Sequence, residues 1–165
     1  MLRATLAVLL LAAAPAVAHD AHAPIAIEDA YAIAPRPNAP TGAAYMRILN
    51  SGSEPDRLLS VASLVAEAVE IHTHEEVDGV MRMRPVEGGV EIPAGTPVVF
   101  ERGGLHVMFL GVTEPFEDGD AIPLTLTFEG AGEVAVEVLV DLDRLTEPQP
   151  GGHGDHEAAG DHAGH

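Results

Sequence analysis

The stretch Ala66-Glu67-Ala68-Val69-Glu70-Ile71-His72-Thr73-His74 decides how the rest of the chain is read. Ala and Leu are good helix formers, so composition alone would allow a helix over Leu59 to Val69. Val61, Val65, Val69 and Ile71 instead continue into a β-branched run, and Gly79 and the Pro85 to Pro97 region punctuate the later sequence as sandwich turns do. We therefore read Ala66 to His74 as a strand. Its two-residue repeat then puts Ala66, Ala68, Glu70, His72 and His74 on one side and Glu67, Val69, Ile71 and Thr73 on the other.

Working outward, the same grammar recurs. Ile25 to Ala34 alternates loosely before the Pro35, Pro37, Asn38 and Pro40 connection, and a strand holding Ala44 to Leu49 ends at the turn signal Asn50-Ser51-Gly52-Ser53. Leu58 to Ser63, Val80 to Arg84, Val98 to Glu101, His106 to Gly111, Ile122 to Phe128 and Glu133 to Val140 are further candidates. In the last of these Val134, Val136, Val138 and Val140 share one face. Eight or so short strands broken by Gly, Pro and Asp predict an all-β fold, a β-sandwich with Greek-key connections.

The ends differ from this middle. Arg3, the apolar Ala4 to Ala14 and the small-residue site Ala16-Val17-Ala18 form a secretory signal over residues 1–18. That apolar run is shorter than the roughly 20 residues a membrane-spanning helix needs, so the expected mature protein begins at His19 and has no integral membrane segment. Ala18 is not followed by Cys, and the sequence has no Cys at all, so nothing in it suggests a lipid anchor and thiol chemistry is excluded. Residues 19–146 form the predicted domain. Residues 147–165 are predicted to be a disordered tail, polar and carrying His153, His156, His162 and His165. The formal charge of −18 disfavours nucleic acid and anionic lipid as partners, although acidic surfaces also serve solubility alone.

Soft donors sit in pairs on the predicted strands: His72 with His74, Met81 with Met83, and His106 with Met108. Residues two apart in a strand face the same way, so each pair can present both donors together. Thioethers are soft and neutral and favour Cu(I) over Zn(II), Mg(II) or Ca(II), while imidazole is a borderline donor. A mixed His/Met set therefore points to copper, and to Cu(I) before Cu(II). The tail imidazoles suit Cu(II) instead. Each residue also has a plainer reading: Met as core filler, His106 as a satisfied structural histidine, His72 and His74 as surface groups.

The pieces Val69-Glu70-Ile71-His72, Gly79-Val80-Met81-Arg82-Met83-Arg84-Pro85-Val86, Glu91-Ile92-Pro93-Ala94-Gly95 and Gly103-Gly104-Leu105-His106-Val107-Met108 resemble, in this order, the periplasmic copper chaperone family called PCu(A)C. Outlying matches run from Ile27-Glu28-Asp29-Ala30-Tyr31 to Leu124-Thr125-Leu126-Thr127-Phe128. The resemblance implies a cupredoxin-like β-sandwich in the periplasm, Cu(I) held by His72, Met83, His106 and Met108, delivery to the CuA-bearing subunit of cytochrome c oxidase, and no catalysis. Ten residues separate His72 from Met83 and 22 separate Met83 from His106, which leaves Met81 as a rival for Met83. Many relatives carry a Met just after the first His, where this chain has Thr73 and His74; His74 is thus a further candidate ligand that would favour Cu(II).

Two other functions compete. A general periplasmic metal buffer or copper-resistance protein would account for the tail. A secreted copper enzyme would chelate the ion through the amine and imidazole of mature His19, with His22 nearby, but an aromatic substrate platform is lacking because the sequence has no Trp.

Overall fold

The computed structural model describes residues 24–36, 38–77 and 79–146. The expectations for the signal, for His19 and His22, and for the His-rich tail lie outside the described residues. Ten strands succeed one another: β1 (Ile25–Ile33), β2 (Thr41–Asn50), β3 (Asp56–Ala62), β4 (Ala66–Val77), β5 (Val80–Pro85), β6 (Val90–Ile92), β7 (Val98–Phe100), β8 (His106–Val112), β9 (Ala121–Phe128) and β10 (Gly132–Val140). A single 3-10 turn at Asp143–Leu145 closes the described chain.

The strands run in the order β5-β4-β8-β2-β1-β10-β9-β3-β6, with β7 also paired to β2. All pairings are antiparallel except β1 with β10, which is parallel, so the sheet is mixed. This mixed sheet folds into a cupredoxin-like β-sandwich in which β4-β8-β2 and β9-β3 are neighbours distant in sequence, as Greek-key crossovers require. Met46, Ile48, Leu58, Ile92, Phe100, Val107, Phe109, Leu124, Leu126, Val138 and Val140 fill the core. Apolar alternation put them there: in β10 Val138 and Val140 are buried while Glu137 and Leu139 are exposed.

The alternative helix over Leu59 to Val69 does not form. That span is the end of β3, a turn at Ser63 to Val65 and the start of β4, because β3 is recruited by β9 and β4 by β8. Strand β4 is longer than its alternation predicts, continuing three residues past His74 to Val77 through pairing with β5. Strand β6 is not predicted by the sequence pattern; three residues after the Gly88–Gly89 turn carry too little alternation to be read.

Candidate metal centre

Strand β8 has Val107 and Phe109 fully buried in the core, so alternation sends His106 and Met108 to the opposite, outer face of the sheet. Strand β4 lies beside it with His72 directly across from His106 and Glu70 across from Met108. Strand β5 flanks β4 on the other side, with Met83 across from His74, Met81 across from Glu76 and Pro85 across from His72. Directly opposed residues share a face, and diagonal neighbours about 7–8 Å apart remain within reach of long side chains. His72 is consequently central: it faces His106 directly and is diagonal to both Met83 and Met108. Met81 is diagonal to His74 and one register step further from His72. Gly79 and Gly103, at φ +77° and +86°, make the left-handed turns that lead into β5 and toward β8.

Although it points away from the core, His106 is only 2% exposed. Its cover is aromatic. The rings of His74, His72 and Tyr45 lie 5.2, 5.9 and 6.3 Å from its own, centroid to centroid. Tyr45 in turn contacts Tyr31 at 5.1 Å, and the Arg144 guanidinium stacks 4.1 Å over Tyr31. Asp29 accepts two hydrogen bonds from Arg144, at 2.8 and 3.2 Å, and Asp141 accepts one from its Nε at 3.1 Å, so the far end of the aromatic row is clamped. Burial pushes the Tyr45 hydroxyl up to about 12, which keeps it protonated across the neutral range.

The imidazoles are oriented from behind. His72 Nε2–H donates to the Glu70 carboxylate at 2.8 Å, and His106 Nδ1–H donates to the Gly104 carbonyl at 3.0 Å. A carboxylate and a carbonyl accept, which assigns the N–H to those nitrogens and, in the neutral ring, leaves a lone pair on the other nitrogen of each. Those other nitrogens, His72 Nδ1 and His106 Nε2, are buried and without a hydrogen-bond partner, as is His74 Nδ1. A buried polar atom left unpaired costs on the order of 1–3 kcal/mol, so three of them on one face call for a ligand that fills them. Burial lowers the His106 pKa against the opposing hydrogen bond to Gly104, with smaller lowering from His74 and His72, and this keeps its lone pair free.

Among the described residues, no group of three or more His, Cys, Asp or Glu side chains is gathered around one point to hold a metal. Two thioethers stand on the same face, Met108, half-buried, and Met83, 46% exposed. Met81 is 56% exposed. Sequence reasoning places Glu70 on the same side as His72 without giving it a role; the spacing of two on a strand is the available signal. Tyr45 and Tyr31 have no such signal, because only the β1–β2–β8 register brings them into a row with His106, and Arg144 joins its far end from the turn after β10.

A family profile described as "Putative lipoprotein LpqE-like" matches residues 25–140. The chain belongs to the LpqE-like family. It is 31% identical over 98 residues to "Putative lipoprotein Lxx21020" of Leifsonia xyli subsp. xyli (strain CTCB07), and this match spans 59% of either protein. Three solved structures share the fold. The copper-bound PCuAC domain from PmoF2 is 29% identical with a TM-score of 0.60, covering 72% of this chain and 93% of that one. The apo PCuAC domain from PmoF1 is 26% identical at 0.62, covering 72% and 94%. The Cu(I) form of DR1885 from Deinococcus radiodurans is 26% identical at 0.52, covering 70% and 78%. This LpqE-like chain therefore carries a PCuAC-like domain, as its motifs suggest. A periplasmic location agrees with the lipoprotein names of the family and its relative.

Proposed function

We propose that this LpqE-like protein is a copper chaperone that takes Cu(I) as cargo on His72, Met83, His106 and Met108 and passes it on in the periplasm. The observation that carries the reading is the pair of buried, unpartnered nitrogens on His72 and His106, directly opposed across β4 and β8. Met83 and Met108 stand diagonal to His72 on the same face, which favours Met83 over Met81 as the second thioether. Two neutral imidazoles and two neutral thioethers leave the loaded site with only the charge of Cu(I) and suit that soft ion. The copper and Cu(I) named for the PmoF2 domain and DR1885 support the same cargo.

The edge position of β5 gives release a physical route. Met83 is on a strand exposed at every residue, so an incoming Cys, His or Met of an acceptor displaces it first, and no bond of a substrate is made or broken. The acceptor we assign is the CuA-bearing subunit of cytochrome c oxidase, with the tail histidines His153, His156, His162 and His165 gathering Cu(II) beside the domain. Anaerobic Cu(I) titration tests the ligand set: Met83→Ala and Met108→Ala should each weaken binding, and unchanged affinity in both rejects it. Incubating the loaded protein with an isolated CuA domain should move the copper; retention by the LpqE-like protein would make it a metal buffer instead.

A further inference from the structure

We infer that the same face holds oxidised copper in a second way, with His74 as a third imidazole beside His72 and His106. This deepens the Cu(I) reading, since the two modes share His72 and His106, and it concerns a residue for which that reading has no use.

Three observations carry it. First, His74 Nδ1 is buried and unpartnered together with His72 Nδ1 and His106 Nε2, so the face holds three unpartnered imidazole nitrogens and not two. Second, the spacing of His106 from each of the other two rings suits a shared ion. With a metal–nitrogen distance of about 2.0–2.1 Å, ring centres lie about 3.2 Å from the metal, and two ligands subtending roughly 90–140° have centres about 4.5–6 Å apart. His74 to His106 is 5.2 Å and His72 to His106 is 5.9 Å. Third, His72 and His106 already have their second nitrogens tied to Glu70 and Gly104, the outer bonds that fix which nitrogen a metal meets.

The nitrogens do not yet converge on one point. Closing requires rotation of His74, and of His72 together with its Glu70 partner, about their side-chain bonds; both histidines are only partly buried on β4 and the Glu70 side chain is 44% exposed, free to follow.

The consequence is selectivity by oxidation state. Three imidazoles without a thioether form a borderline set that suits Cu(II), whereas Met83 and Met108 suit Cu(I). His74 and Met83 are directly opposed across β4 and β5, so exchanging one for the other is a local change at a single cross-strand position. The pocket can thus accept copper in either state without rebuilding the sheet.

The experiment uses the full chain with His19, His22, His153, His156, His162 and His165 changed to Ser, so that Cu(II) at the ends does not mask the face. Cu(II) is added, and pulsed electron paramagnetic resonance counts the coordinating imidazoles while competition titration gives affinity. The parent should bind one Cu(II) through three imidazoles. His74→Ala should lose one imidazole and at least about tenfold in Cu(II) affinity, the scale on which even outer-shell partners act. His74→Met, which keeps a donor and the strand, should show the same loss for Cu(II) while leaving Cu(I) affinity unreduced. An unchanged imidazole count and affinity in both variants, or no Cu(II) bound by the parent, overturns the inference. Insensitivity of Cu(I) binding to Met83→Ala and Met108→Ala would overturn the Cu(I) ligand set alone, so the two failures are separate.

Discussion

Asn50 and His106 are the two buried polar side chains among the described residues, 1% and 2% exposed, and the fold treats them oppositely. Asn50 Nδ2 donates to the Glu54 and Ile92 carbonyls at 2.8 and 3.2 Å, and its Oδ1 accepts from the Gly52 amide at 2.9 Å. Every polar atom of that side chain is matched, and the result ties the end of β2 to β6 and the following loop. His106 is matched on one nitrogen and bare on the other, next to two further histidines with bare nitrogens. A buried group that is fully paired contributes stability; one that is half paired holds a capacity that the folded chain does not use for itself.

The sharpest way to break that contrast is to remove both groups. Asn50→Ala strands the buried Ile92 carbonyl and releases the Glu54 carbonyl and the Gly52 amide, and should cost about 2 kcal/mol by chemical denaturation while leaving Cu(I) affinity as it was. His106→Leu replaces the ring with an apolar group of similar bulk and frees only the Gly104 carbonyl, which sits in a solvent-accessible loop. Its apo stability should stay within about 1 kcal/mol of the parent, yet Cu(I) affinity should fall by more than about a hundredfold, beyond the range typical of outer-shell partners. If His106→Leu unfolds as readily as Asn50→Ala, His106 is structural and the contrast fails.

How far each half can be read in advance depends on the range of the interactions involved. The strands are legible because Val134 to Val140 and Val69 to Ile71 carry a local two-residue repeat, and the paired donors His106 and Met108 can be placed on one face by the same repeat. What cannot be read is register. That His72 opposes His106, and that Tyr45 rather than an aliphatic residue caps it, depends on pairings between β4, β8 and β2 that lie 34 or more positions apart along the chain. Asn50 shows the same gap from the other side. It is legible as a turn residue beside Gly52, but its bond to Ile92, 42 residues away, belongs to β6, whose three residues give no pattern.

A smaller change probes the matched half of the His72 ring. Glu70→Gln keeps the side-chain volume but offers His72 an amide that can turn either its oxygen or its nitrogen toward the ring. The Nε2–H form is then no longer enforced. Cu(I) affinity should drop about tenfold, as expected for loss of an orienting partner. Nitrogen-15 spectra of the apo protein should show His72 passing from one tautomer to a mixture. An unchanged tautomer with unchanged affinity would reduce Glu70 to a surface carboxylate.

The smallest effect belongs to the fully matched corner and depends on pH alone. Asp56 loses solvation on partial burial, which raises its pKa, but the amides of Gly130, Arg57 and Ala131 that donate to it together outweigh burial and hold it below the ordinary 3.8. With the folded pKa under the unfolded one, the folded state binds fewer protons in that window, so the carboxylate stabilises the protein at neutral pH and the contribution is lost as acid carries it through its folded pKa. Asp56→Asn should therefore be less stable than the parent by about 1 kcal/mol near pH 7, with the gap closing as acid carries the carboxylate through its lowered folded pKa. Asp29, which Arg144 also holds below its ordinary value, is common to both proteins and cancels in the difference. A gap that stays constant down to that acidity would mean the three amides recognise the shape of the side chain and not its charge, and copper binding should be indifferent to either result.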